Sequence, residues 1–181
     1  MRAFIALALP PDVEEALHRL QDALPLGRAT DPDQLHLTLA FLGERPEAEV
    51  LAAHEALEGL RGPAFEMQLW GLGTFENALW AGVRDAAAVK ALQARVLNAL
   101  HGAGVMPERR RFRPHVALAR LPQLTPDGER QLARWIEARA SFPSPPFRVD
   151  EVVLWRSTLH RGGAHHDALA RYPLEAGAPA R

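Results

Sequence analysis

Residues 109–121 read RRRFRPHVALARL and residues 34–43 read QLHLTLAFLG. Both place a histidine at the head of an apolar run, as His36-Leu37-Thr38-Leu39 and His115-Val116-Ala117-Leu118. Side chains alternate across a strand. The first stretch therefore predicts His36, Thr38 and Ala40 on one face, with Leu35, Leu37, Leu39 and Phe41 on the other. The second predicts Arg111, Arg113, His115, Ala117 and Ala119 opposite Phe112, Val116 and Leu118. Each strand would give an apolar face to a core and keep a small, partly polar face with a histidine. Pro114 has no N–H to donate, so it marks an edge or a strand start.

Outward from these frames, strands and helices interleave. Residues 2–9 read as a buried strand, and Asp12 as the cap of a helix to about Leu24, with Val13, Leu17, Leu20 and Leu24 on one face. TDPDQ is a turn. Residues 47–60 form a second helix, 65–73 and 78–83 a hairpin, and 86–101 a third helix. Residues 125–140 form a fourth helix, with Thr125 as N-cap and Pro126 at its first position. Residues 146–157 and 165–174 read as late strands, and the tail EAGAPAR is expected to fray. Hairpins among the helices argue for an α+β fold with antiparallel or mixed sheets rather than a doubly wound one. Two matched frames, nearly half of 181 residues apart, suggest an internal duplication. The expectation is one domain over residues 1–181, built as two pseudo-symmetric lobes with outer helices around a central groove.

Composition narrows the function. The chain is 48% hydrophobic and 24% charged, which suits a soluble globular protein with a real core. A net charge of −1 leaves a local basic pocket open but argues against a long non-specific grip on nucleic acid. Cysteine is absent, so thiolate metal sites and disulfides are excluded. The apolar opening RAFIALAL runs into Pro10-Pro11 and an acidic stretch with no small-residue cleavage site, so it reads as a strand rather than a leader. No apolar run approaches the ~20 residues of a spanning helix. The expectation is a cytoplasmic monomer without a membrane or protein partner.

Two histidines converging on one groove suit phosphodiester chemistry. One ring accepts a proton while the other donates one near neutral pH. Hydroxyls and arginines stabilise the charge that develops on phosphoryl oxygens.

The paired H-x-[T/A]-L frames resemble the H-x-[T/S]-hydrophobic motifs of the 2H phosphoesterase superfamily. Within it the chain is similar, end to end, to RNA 2′,3′-cyclic phosphodiesterases, also called 2′-5′ RNA ligases. RAFIALALP, LWAGV and VDEVVLWRSTL fit as well. The resemblance implies hydrolysis of RNA 2′,3′-cyclic phosphate ends to 2′-phosphates, and 2′-5′ joining of RNA ends without ATP as the reverse chemistry. It implies no metal and no cofactor. His36 and His115 would be the acid–base pair, with His115 as base and His36 as acid. Thr38 would bind a phosphoryl oxygen, and Arg120 would match a phosphate-contacting arginine. Strict alternation sets Arg120 on the wrong face, so a twist, bulge or strand end must re-aim it. The departure is Ala117, where the family carries a hydroxyl. Loss of that bond weakens catalysis without removing either proton-transfer group.

Other residues have plainer roles open to them. Arg109, Arg110, Arg111 and Arg113 form an entry for an RNA end or a solvated loop, with Arg113 the best phosphate contact by strand parity. Phe41 and Trp155 are stacking candidates for a base, though a core role is the simpler reading. His160, His165 and His166 resemble a metal cluster, yet adjacent strand residues point opposite ways. Three rivals stand beside the main reading. They are a phosphodiesterase for a small cyclic nucleotide or cyclic ADP-ribose phosphate, a non-catalytic RNA or nucleotide binder, and a zinc hydrolase.

Overall fold

The computed structural model describes residues 1–75, 77–160 and 163–175. It has an α+β fold with antiparallel sheets and four helices. The chain opens with strand β1 (Arg2–Ala8), helix α1 (Pro11–Asp22), a two-residue β2 (Arg28–Ala29), β3 (His36–Glu44) and α2 (Glu47–Glu58). A short β4 (Phe65–Met67) leads to β5 (Leu69–Phe75), β6 (Ala78–Val83), α3 (Ala87–Gly102), β7 (Val116–Arg120) and α4 (Pro126–Glu137). The chain closes with β8 (Phe147–Val149), β9 (Glu151–His160) and β10 (Gly163–Pro173).

One hydrogen-bonded sheet runs β10-β9-β1-β3-β7-β6-β5, with β2 on β7, while β4 and β8 form a separate pair. The named strands pair antiparallel throughout. The succession β1-α1-β3-α2 recurs as β6-α3-β7-α4, with the outer strand of each set antiparallel to the inner one. The two inner strands, β3 and β7, meet through Leu37 and Val116.

Helix periodicity explains the packing. Val13, Ala16, Leu17 and Leu20 of α1 are buried at i, i+3, i+4, i+7, and Val89, Leu92, Val96 and Leu100 of α3 follow the same stripe. Apart from Ala16, they join Ile5, Leu7, Leu37, Ala81 and Val116 in one hydrophobic core. Burying a leucine or valine there contributes about 1.5–3 kcal/mol. The alternate faces of β3 and β7 are left for the histidines.

Several boundaries differ from the sequence expectation. Helix α1 starts at Pro11 with Pro10 as its cap, and Asp12 instead accepts the N–H of Val13. Leu24 lies beyond the helix end. The stretch 65–73 divides at Gln68, whose side-chain amide donates to the Ser144 carbonyl, so β4 joins β8 rather than the main sheet. The stretch 146–157 divides at Asp150, whose carbonyl accepts the Leu174 N–H. Strand β7 begins only at Val116, because Pro114 cannot enter a ladder. Thr125 caps α4 as expected, accepting from the Gly128 N–H at 3.3 Å. Residues 176–181 of the tail lie outside the described residues.

Candidate active site

The Leu37–Val116 pair fixes the site. Both residues are fully buried on the core face. Carrying the antiparallel register one step each way sets Thr38 across from His115 and Ala117 across from His36. The two histidines stand on the diagonal of that square, on the face opposite Leu37 and Val116.

Two bulges then change which residues join them. In β3, Thr38 faces Ala6 but Ala40 faces Ile5, so Leu39 is the extra residue. The parity flips after it. Ala40 turns into the core at 6% exposure, and Phe41, opposite Phe4, turns to the histidine face. This reverses the expected positions of both. In β7, Trp80 faces Ala117 but Leu79 faces Ala119, so Leu118 is the extra residue. Ala119 becomes core at 2% exposure and Arg120 joins the His115 side. The carbonyl of Leu118, displaced by the bulge, is satisfied by the Thr30 N–H and the Gln21 side chain. Phe41 and Arg120 thus hold matching places, each five residues after its histidine.

His36 lies in an aromatic frame. Phe4 stacks on it at 4.7 Å, and His166 meets it edge-on at 5.4 Å. Trp155 lies parallel to Phe4 at 6.3 Å. Burial, then the neighbouring His166, pull the His36 pKa down to about 4, with His115 adding to the fall and a hydrogen bond to the Gln34 main chain opposing it. The His166 pKa is also lowered, by burial first and then by His165 and Arg2.

His115 is framed by Phe75 at 5.0 Å and Trp80 at 6.3 Å, both edge-on. Trp80 lies across Gly73 of β5, where a Cβ would come within 2.4 Å of the indole. Nδ1 of His115 is 2.6 Å from the Arg113 carbonyl. A carbonyl only accepts, so Nδ1 carries the hydrogen and Nε2 of the neutral ring is free to accept.

The arginines divide. Residues 109–115 are not strand, so the parity reasoning for Arg113 does not hold: it contributes its carbonyl to His115 while its side chain is exposed. Arg110, held by Glu108 at 2.6 Å, lies over the Phe41 ring at 4.6 Å. Arg120 is exposed and lines a cavity of about 550 Å³ with Asn77, Gln123 and Glu129.

His166 faces Ser157 and meets His36 edge-on, while His165 lies 3.1 Å from Asp167, and both residues line the cavity beside His36. Among the described residues no group of three potential ligands is placed to hold a metal. The sequence marks Phe4 only as part of a buried strand and His166 only as part of a histidine cluster. The alternation at 164–168 separates His166 from His165, but which side meets the site depends on how β9 and β10 stack against β1.

A sequence profile described as the 2′-5′ RNA ligase superfamily matches residues 6–161. An RNA 2′,3′-cyclic phosphodiesterase of Geobacillus stearothermophilus is 32% identical over 97% of this chain, which spans 58% of that relative's length. Proteins of the same name are 30% identical in Methanothermobacter thermautotrophicus, over 90% of this chain and 93% of the relative, and in Escherichia coli K12, over 96% of each. The apo crystal structure of E. coli LigT superposes with a TM-score of 0.78 at 26% identity, covering 96% of both chains. LigT complexed with 3′-AMP and with phosphate gives TM-scores of 0.76 and 0.75 at 26% identity, again over 96% of both chains.

Proposed function

This chain belongs to the 2′-5′ RNA ligase superfamily, and on that premise we propose that it hydrolyses 2′,3′-cyclic phosphate ends of RNA to 2′-phosphates. The reverse reaction, 2′-5′ joining of RNA ends without ATP, belongs to the same proposal. The observation that supports the reading is the Leu37–Val116 pair, whose flanking positions in register are His36, Thr38 and His115. We take the protein as one cytoplasmic, monomeric domain whose two halves are related by pseudo-symmetry about that pair.

His115 acts as base. Its Nδ1–H is held by the Arg113 carbonyl, so Nε2 takes a proton from water as the water oxygen bonds to phosphorus. The P–O3′ bond breaks, and His36 donates its proton to the leaving oxygen. His36 is neutral in the free protein near pH 7, since its pKa lies near 4. A bound phosphodiester anion beside it favours the charged ring and supplies the missing stabilisation. Thr38 and Arg120 bind phosphoryl oxygens, and Phe41 carries Arg110 as a flat cationic platform for the RNA. The exposed Arg109, Arg111 and Arg113 beside the site favour an RNA end over a small cyclic phosphate.

The test is turnover of an oligonucleotide ending in a 2′,3′-cyclic phosphate, with EDTA present. His36→Ala and His115→Ala are each expected to lose at least ~100-fold, the scale of acid–base catalysis. Full activity in either variant refutes the assigned roles. Faster turnover of mononucleotides than of oligonucleotides would favour the small-substrate rival.

A further inference from the structure

Beside His36 lies a partly open cavity of about 240 Å³. Ala8, Leu9 and Leu35 make its apolar lining, and Trp155 and His166 add flat rings. Its polar lining is divided: His36, His165 and His166 stand on one part, and two carboxylates on another, Glu14 from α1 and Asp33 from the short helical turn before β3. Neither has a cation within ion-pair distance among the described residues. The Gln34 side chain fastens that turn to β10 through the Ala164 carbonyl at 2.6 Å, so the walls are tied together.

Chemistry restricts what fits. Two carboxylates repel a phosphate, so the part of the cavity beside Glu14 and Asp33 does not suit the RNA backbone. The apolar and aromatic walls suit a flat heterocycle, and the volume suits a single one. The leaving oxygen that His36 protonates belongs to the ribose of the terminal nucleotide, so the base of that nucleotide lies on the His36 side. We infer that this cavity is a base-selective subsite in which Glu14 and Asp33 accept hydrogen bonds from the terminal nucleobase, and that it prefers guanine and rejects uracil. The inference rests on the phosphodiesterase reading for which nucleotide occupies the cavity.

The preference follows from donor patterns. Guanine offers an N–H and an amino group side by side on one edge, the pattern a carboxylate takes in two parallel bonds. Adenine and cytosine offer one amino group next to an acceptor nitrogen. Uracil offers one N–H between two carbonyls, both of which meet carboxylates as acceptor against acceptor. A site built to receive donors discriminates strongly against a ligand that lacks them.

The experiment compares kcat/KM for the four nucleoside 2′,3′-cyclic monophosphates, and Kd for guanosine against uridine 2′-monophosphate. Guanosine is expected to exceed uridine by about tenfold or more, the scale of a charged hydrogen bond. Glu14→Gln combined with Asp33→Asn is expected to bring the ratio close to one. A parent ratio near one, a preference for uridine, or a ratio unchanged in the double variant overturns the inference. Absence of turnover with all four substrates refutes the phosphodiesterase reading, and the two Kd values then still decide the base preference.

Discussion

Leu37 of β3 pairs with Val116 of β7, and beyond that pair the edge of β7 is taken over by β2, through Arg28 and Ala29. The two central strands therefore touch briefly and part. This short contact sets Ala117 across from His36 and Thr38 across from His115, so the two halves are alike in plan and unequal in chemistry. The hydroxyl is present beside one ring and absent beside the other.

That asymmetry predicts a gain on repair. Ala117→Thr adds a donor on the His36 side, where none stands across the strand. A charge-assisted bond of roughly 1.5–3 kcal/mol, realised in the transition state, corresponds to about a tenfold to hundredfold rise in kcat. Thr38→Ala should cost a similar factor. Steady-state kinetics on a cyclic-phosphate-ended oligonucleotide measures both. Ligand binding without turnover in the parent, and no gain in Ala117→Thr, would make the protein a binder rather than an enzyme.

The Leu118 bulge gives the Arg120 position the parity of the His115 side of β7. Arg120→Ala should therefore raise KM and lower kcat together, by at least about tenfold in kcat/KM, if it grips the phosphoryl group in both ground and transition states. Arg120→Lys should recover part of the binding and little of the rate, since an ammonium lacks the planar two-pronged geometry. An Arg120→Ala enzyme with parental kcat/KM would remove the residue from the site.

These bulges also mark where the sequence stopped being legible. The two H-x-[T/A]-L frames were readable because apolar alternation and a repeated histidine are local signals. So were the Thr125 cap and, short of Leu24, the buried stripe of α1. Alternation then failed after Leu39 and Leu118, since a bulge is dictated by the register of the neighbouring strand, which no local pattern encodes. Ala40 and Phe41 exchanged faces for that reason. Arg113 failed through Pro114, whose missing N–H delays the strand until after His115. The contact of His166 with His36 and the cavity beside it were out of reach because they depend on β9 and β10 folding back beside β1, a contact spanning most of the chain.

The proton on His36 is open to direct measurement. In the free protein its pKa is pulled down to about 4 by burial and the nearby His166. Acting as the acid, it must hold a proton when substrate is bound. NMR titration of His36 should show a rise of at least ~2 units when a nucleoside 2′-monophosphate or inorganic phosphate occupies the site. A ring that stays neutral with the anion bound cannot be the acid, and the two histidines would then exchange roles.

The same shift makes stability depend on pH. An unfolded histidine titrates near 6.5, whereas the buried ring resists its proton until about pH 4. Above pH 6.5 both states carry a neutral ring, and the contribution is complete. As the pH falls from 6.5 to 4, the unfolded chain takes up a proton that the native state refuses, so stability is lost. Below pH 4 the native ring is protonated as well, and the loss levels off. A shift of this size corresponds to about 3 kcal/mol. His166, lowered in the same direction, adds to the slope. Urea unfolding at a series of pH values should show the decline, and His36→Gln should flatten it, because glutamine takes up no proton in either state. An equally steep decline in His36→Gln would assign the acid sensitivity to other groups and leave no cost of charging at His36.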